Sequence, residues 1–561
     1  MADSELRAAV RAEVRSYLGD VAVRYMPVVA GVLAVALIVL LVPDTTINRG
    51  SPGLTAGSSI GAASASPSES GAPGSAVSPS ALGAANLPSG SSQNPSGGTL
   101  APGVAVSGVK CGPGVRQVTW TPYAPPCIPK WSGSNGGATA HGVTGSTITL
   151  VLRNPTDWDT AAQATGVPTF AHIASDMQTM VNFFNTQYEL YGRKVVIRTF
   201  NGQGSFFAEA SNQDQAGASA DASMAYDLGA MVDGFPITAG TYSDAESSRG
   251  IVSFAPGNSE AAYKAHAPYM YGVPLGPVAE IQGAGVGAVA CQRMAKMNAI
   301  FAGDATFRAT VRKFAVLEPQ QPEYTGGAAV LTQEMKNCGV SVDYYPYNAD
   351  INQEAQEAAQ ITAEMVQAHD TTALMLTDPF MSQFMTDAAG QAQYQPEWVF
   401  TIFSQTMARQ ASAGEMAHSI DITPWHATTG APTQRLCAHI YSLAAPGTTA
   451  QSGPSGLDAE CALLMALFAG LQEAGPGLTP QTLSRGWFSL PDSSASSDFG
   501  RWSFGPNQWS PLASFSVLQW NAGAASTYDG GTGEWEPCGG SIDYPYQNPS
   551  LGTGQLQCFG H

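Results

Sequence analysis

Basic residues are scarce. The chain of 561 residues carries 24 Lys and Arg against 43 Asp and Glu, a formal charge of −19. It lacks the basic surface that neutralises a phosphate backbone, and this excludes nucleic acid as a partner. Charged residues of either sign make up 12% of the sequence, against roughly 25% in ordinary globular domains. No C-x-x-C pair occurs among the eight cysteines, so the motifs of thiol redox chemistry and of structural zinc are missing. The eight histidines include no H-E-x-x-H motif and no i, i+4 pair. No metal and no cofactor is expected. No G-x-S-x-G elbow joins a strand to a helix, so serine hydrolase chemistry has no signal, and a non-enzymatic protein is expected.

What is present begins with an uncharged apolar run from Pro27 to Val42, closed by Pro43. A helix crossing a bilayer needs about 17 to 25 such residues, and a run without a polar face reads as a membrane span. Arg7, Arg11, Arg15 and Arg24 precede it and the first basic residue after it is Arg49, which places the N-terminus in the cytoplasm. No small-x-small cleavage site follows directly, so the span reads as an uncleaved signal anchor. Before it, Leu6, Val10, Val14 and Leu18 recur at helical spacing. After it, Gly, Ser, Ala and Pro dominate to about Val104, a composition that cannot bury enough apolar area to fold. Such a linker reaches roughly 40 Å from the membrane by coil scaling. All eight cysteines lie beyond the span, where an oxidising compartment favours disulfides. Sequence order suggests the neighbour pairs Cys111 with Cys127, Cys291 with Cys338, Cys437 with Cys461, and Cys538 with Cys558. Other connectivities are equally compatible with the spacing.

From Thr147 the chain alternates short apolar strands with helical segments. Strands are expected at 147–152, 194–200, 235–239 and 251–254, with helices at 170–191 and 213–232. A second series gives strands at 313–317, 340–345, 373–376 and 398–402, with helices at 277–297, 324–337, 353–368 and 384–391. A further strand is expected at 514–519, packed onto the second lobe by Trp520. This alternation implies parallel sheets covered by helices on both faces, and two series imply two α/β lobes. The run Gly283-Ala-Gly-Val-Gly-Ala288 lies inside a helical stretch with no strand before it. It therefore reads as small residues packing a helix against a sheet and not as a dinucleotide loop.

Several stretches resemble the type I periplasmic solute-binding proteins, in the branched-chain amino-acid branch of ABC importers. Gly142-Val-Thr-Gly-Ser-Thr-Ile-Thr-Leu-Val151 looks like that family's first strand, and Phe184-Asn185 through Tyr191-Gly-Arg-Lys-Val195 is similar to its helix-to-second-strand passage. Ala462-Leu-Leu-Met-Ala-Leu-Phe468, followed by Glu473-Ala-Gly-Pro-Gly-Leu-Thr-Pro-Gln481, looks like the helix and turn near the end of its first lobe. The resemblance spans about 142–522. It implies two discontinuous lobes joined by three crossings, hinge closure around a small molecule, and an ABC permease as a possible partner. The expected organisation is a juxtamembrane helix (1–25), a transmembrane helix (26–43), a linker (44–105) and a disulfide-tied extension (106–141). Lobe 1 follows at 142–275 and 404–490, lobe 2 at 276–403 and 491–530, and a disulfide-tied tail at 531–561.

Ligands of open α/β sheets sit at the carboxyl ends of strands. The candidate ligand-binding residues are therefore Thr156, Asp157 and Trp158 after the first strand, then Thr241, Tyr242 and Ser243, then Gly257, Asn258 and Ser259. In the second lobe they are Tyr324, Asp378 and Phe380, with Ser404 and Gln405 after its last strand. Aromatic rings with hydroxyls and amides suit a small polar or amphiphilic solute. Members of the family that bind amino acids hold the ammonium with an acid of the second lobe. Here the turn Phe403-Ser-Gln-Thr406 has none, and Asp378 is the substitute. A sensor or interaction module of the same fold, without transport, is the alternative.

Overall fold

The computed structural model describes residues 103–551 and Cys558, apart from 235–239, 256, 273, 402, 427–434, 507, 527 and 540–542. The expected membrane span, its juxtamembrane helix, nearly all of the linker and the strand at 235–239 lie outside the described residues.

The first lobe runs β1 (Thr147–Asn154), α1 (Trp158–Thr165), α2 (Phe170–Phe184), β2 (Lys194–Asn201), α3 (Phe206–Ala210), α4 (Gln215–Asp227), β3 (Val232–Asp233), α5 (Gly240–Ser248), β4 (Ser253–Phe254), α6 (Glu260–Ala265) and β5 (Met270–Tyr271). Strand β1 pairs in parallel with β2 on one side and β3 on the other, and β4 pairs in parallel with β5. A central strand with both faces covered is apolar along its length, and Ile148 to Arg153 is buried throughout. Helix α2 turns Ile173, Met177, Met180 and Phe184 inward at spacings of three and four.

The second lobe runs α7 (Ala279–Arg293), α8 (Ala305–Arg308), β6 (Phe314–Pro319), α9 (Gly327–Asn337), β7 (Val342–Tyr347), α10 (Ile351–Ala368), β8 (Thr372–Met375), α11 (Pro379–Ala392), β9 (Glu397–Phe400), α12 (Gln405–Ala408), α13 (Ala413–Met416) and β10 (Ser419–Thr423). The chain then returns to the first lobe as α14 (Leu436–Ala444), α15 (Gly453–Ala474) and α16 (Pro480–Phe488), and ends in the second lobe as β11 (Ser514–Ala525), β12 (Thr532–Pro537) and β13 (Tyr544–Pro545). The second sheet has the order β12-β11-β10-β9-β8-β6-β7. It is parallel from β10 to β7 and antiparallel at β10–β11–β12.

Two boundaries differ from the sequence expectation. Strand β10 lies in the second sheet, so the return crossing falls after Thr423 and not at 404. The two four-residue helices before it are too short to carry a periodic signal. Phe499, Trp502, Phe504, Trp509 and Leu512 pack in the first lobe's core, and the chain enters the second sheet only at Ser514. Trp520 packs in the second lobe's core with Trp535, as expected.

The glycines of α7 pack the helix on the sheet, as expected, and also on a second helix: Gly285 lies against Tyr546 and against Phe515 of β11. A Cβ on Gly283 would collide with the backbone of Gly327 at the start of α9, and Gly287 lies over Leu331 and Glu334. Among the described residues one helix, Gly453–Ala474, is long and apolar enough to cross a membrane, and 83% of its apolar window is buried. Its Phe468 meets Phe184 edge-on at 5.3 Å, so it serves as the first lobe's core helix. The four neighbour disulfides are present, with Cα separations of 5.3, 6.0, 5.8 and 5.2 Å.

Three crossing segments join the lobes and are hydrogen-bonded to one another. Gly272 N–H donates to the Trp509 carbonyl at 2.8 Å and Ser510 Oγ to the Gly276 carbonyl at 2.9 Å. Gly500 N–H donates to Pro424 at 3.0 Å and His426 N–H to Asp498 at 2.9 Å. The extension before β1 braces this bundle: Tyr123 stacks on Trp502 at 4.0 Å, with its hydroxyl 2.8 Å from the carbonyls of Phe499 and Gly500.

Candidate functional site

Residues that follow the carboxyl ends of strands in the two parallel sheets meet where the lobes touch. On the first lobe's side, Thr156 is exposed and its Oγ1 donates to the Gly204 carbonyl at 3.2 Å. Asp157 accepts from Ser205 Oγ at 2.5 Å, Phe206 N–H at 2.7 Å and Phe207 N–H at 3.4 Å, so it anchors the start of α3. Trp158 belongs to the interior: its ring is buried against Phe206 at 5.2 Å and its Nε1 donates to the Pro168 carbonyl at 3.1 Å.

Thr241, Tyr242 and Ser243 form the first turn of α5 and are all buried. Thr241 Oγ1 donates to the Glu209 carbonyl at 3.2 Å, and Tyr242 OH to Asp233 at 3.0 Å. The Arg153 guanidinium lies 3.6 Å over the Tyr242 ring and reaches Glu209 and Asp221. Burial pushes the Glu246 carboxyl of the same turn well above the usual carboxylate range, with Asp233 adding to the effect. This network fills the lobe's interior with its own side chains. Gly257 takes a left-handed turn at φ +72° with open space around it. Asn258 Nδ2 lies 3.3 Å from Met270 Sδ, and Ser259 caps α6.

On the second lobe's side, Asp378 caps α11 through Phe380 and Met381 N–H, at 2.8 and 3.1 Å, and accepts Tyr347 OH at 2.5 Å. Its carboxylate is committed to the fold. Burial pushes Asp378 up, against the Tyr347 hydrogen bond. The adjacent Glu354 is 2% exposed, and burial, reinforced by Asp378, pushes it to about 10. Ser404 caps α12, with Oγ accepting from Met407 N–H at 3.3 Å. Gln405 engages the β11–β12 hairpin, with Nε2 on Ser526 Oγ at 2.5 Å and Oε1 accepting from Trp535 N–H at 3.4 Å.

The lobes touch where some of these residues meet. Ser259 N–H donates to the Glu323 carbonyl at 2.5 Å, and the Gly240 backbone N–H to the Tyr324 hydroxyl. The Phe380 ring meets Phe207 of α3 at 5.7 Å, edge to face. Residues not singled out from sequence share this junction: Asn212 lies beside the Glu323 carboxylate, and Gln213 Nε2 lies 3.4 Å from Asp350 Oδ2. The after-strand rule carried the signal for them. Applied also to β2 and β7, it selects 202–213 and 348–350.

Among the described residues one set of side chains has metal-like spacing: Cys437, Asp458 and Asp498. It does not fit a metal, because the Cys437 sulfur is bonded to Cys461 and the Arg435 guanidinium pairs with both carboxylates.

Neither a protein-family model nor a curated protein matches this sequence. Solved structures do match. The chain is similar to the fatty acid ABC transporter substrate-binding protein from Thermomonospora curvata, with TM-score 0.51 and 13% identity over 76% of this chain and 100% of that one. It is similar to the ABC transporter substrate-binding protein from Aeropyrum pernix, with TM-score 0.51 and 12% identity over 74% of this chain and 98% of that one. The chain has the type I periplasmic-binding-protein fold.

Proposed function

We propose that this chain is a membrane-tethered, extracytoplasmic solute-binding protein that captures a small polar or amphiphilic molecule between its lobes without chemical change. We assign lobe 1 to about 142–275 and 435–512, and lobe 2 to about 279–423 and 514–558. The observation that carries the reading is the hydrogen-bonded bundle of three crossings between the two lobes, a construction that lets lobes rotate about one axis. The two similar structures are substrate-binding proteins of ABC transporters, one of them for a fatty acid, which supports a solute with apolar surface and an ABC permease as its recipient. The apolar run at Pro27–Val42 supports a permanent anchor, with the N-terminus in the cytoplasm. The solute contacts we assign are Thr156, Gly257, Tyr324 and Phe380, with Thr241, Ser259, Asp378, Ser404 and Gln405 shaping the walls. A thermal-shift screen of small metabolites followed by titration calorimetry tests the reading, and no binding to any of them would overturn it.

A sensor or interaction module of the same fold is the second reading. It is favoured by the cleft contacts being satisfied within the chain itself. Capture of a cytoplasmic signalling protein through residues 1–25, with no permease, would select it.

A further inference from the structure

The segment from Ser205 to Asp214 belongs to the first lobe but reaches the second at three strand ends. Phe207 packs on Phe380 after β8, Asn212 lies beside the Glu323 carboxylate after β6, and Gln213 approaches Asp350 after β7. Its root is rigid. Both Glu209 oxygens accept from Arg153, at 2.8 and 2.6 Å, and Asp157 holds the N–H groups of Phe206 and Phe207. Asp214 closes the segment by accepting from Ser205 N–H and Gly217 N–H at 3.0 and 3.1 Å. The contacts it makes with the second lobe are of another kind: the half-buried Phe207 and Phe380 rings, the half-buried Asn212 and the exposed Gln213, each weak alone and exchangeable for water or solute.

We infer that this segment is a built-in strap that holds the two lobes closed when no solute is bound, so that a solute enters by displacing Phe207 from Phe380. The inference rests on the solute-binding reading for its second half only, because strap closure is a property of the chain alone. A rigid root with weak tips lets the segment release the second lobe by breaking its tips alone, leaving Ser259–Glu323 and Gly240–Tyr324 as the other contacts that opening breaks. The solute replaces contacts already present, and its affinity is reduced by the fraction of time the strap occupies its place. Phe207 is thus a positioning residue that sets access.

Pulsed dipolar distance measurement on the full chain in detergent micelles tests this, with spin-labelled non-natural residues at the exposed positions 203 and 356, which flank the junction. Without solute, the wild-type chain is expected to give one short-distance population. Phe207→Ala is expected to shift the closed-to-open ratio by about 2- to 10-fold, the worth of one aromatic pair, and to add a longer-distance population. Phe380→Ala does the same from the opposite lobe and serves if Phe207→Ala fails to fold, with a melting curve of each variant as the folding control. A wild-type chain already open, or variants with the wild-type distribution, overturns the strap. Neither result touches the binding screen, so failure of the strap and failure of solute capture are read separately.

Discussion

Arg153 at the end of β1 donates from Nη1 and Nη2 to the two carboxylate oxygens of Glu209 on α3, at 2.8 and 2.6 Å, with both side chains sealed from solvent. Asp221 takes a further contact from the same guanidinium at 3.1 Å. Burial raises the Glu209 carboxyl and Arg153 pulls it back. Removing Arg153 strands two buried acids. Arg153→Ala is expected to cost about 3–5 kcal/mol of stability in urea unfolding followed by near-ultraviolet dichroism. Arg153→Met with Glu209→Leu is expected to cost less than the sum of the two single changes, because each single change leaves the other charge unpaired.

Gly283→Ala is expected to destabilise by about 1–3 kcal/mol, since the new methyl meets the Gly327 backbone, which has no rotamer by which to yield. Gly414→Ala meets nothing nearby and is expected to leave the melting temperature within a degree or two of wild type. Differential scanning calorimetry of the pair checks both, and equal losses would contradict the helix-on-helix role of Gly283.

Stability is expected to fall as pH rises from about 4.5 to 7. Burial pushes the carboxyls of Glu415 and Glu473 up to about 7. An unfolded-chain glutamate titrates near about 4.3, so the folded state holds the proton over the interval between. The contribution is complete below the unfolded value and is lost as pH climbs through the folded one. Glu415 is 1% exposed, and its carboxylate accepts from Trp398 Nε1 at 3.0 Å. Glu415→Gln keeps an acceptor there and removes the titration. Melting temperature against pH should therefore be flatter in this variant than in wild type, and an unchanged slope would assign the effect elsewhere.

Cys437–Cys461 ties α14 to α15 across a sequence separation of 24. Constraint of a loop of that size is worth about 3 kcal/mol in the chain-entropy account. Cys437→Ala with Cys461→Ala should lose about that much. It should also leave the Arg435 pairing with Asp458 in place, since that contact uses neither sulfur. Urea midpoints of the oxidised wild type and the double variant measure the loss.

Legibility in the sequence followed the strength of local signals. Buried parallel strands such as Phe314–Pro319 and long amphipathic helices such as Ile351–Ala368 stand out by period and apolarity. The disulfides followed sequence order. Helices α1 and α3 did not stand out: α3 is five residues long and has no readable period, yet it carries Phe207 to the opposite lobe. Tyr242 and Trp158 fit an after-strand rule by position, but their side chains turn inward, which depends on the tertiary partners Arg153 and Phe206. Proximity to a strand end is a local property, and side-chain direction there is set by packing. Asp378 illustrates the same point, being both well placed for a solute and fully engaged as a helix cap.

Titration calorimetry of the full chain in detergent, against small molecules that raise its melting temperature in a screen, tests solute capture most directly. Capture between two lobes predicts saturable binding with one site per chain, a negative heat-capacity change from the apolar surface buried, and a melting temperature that climbs with ligand concentration. A library of polar and amphiphilic metabolites that yields neither heat nor thermal shift would contradict it.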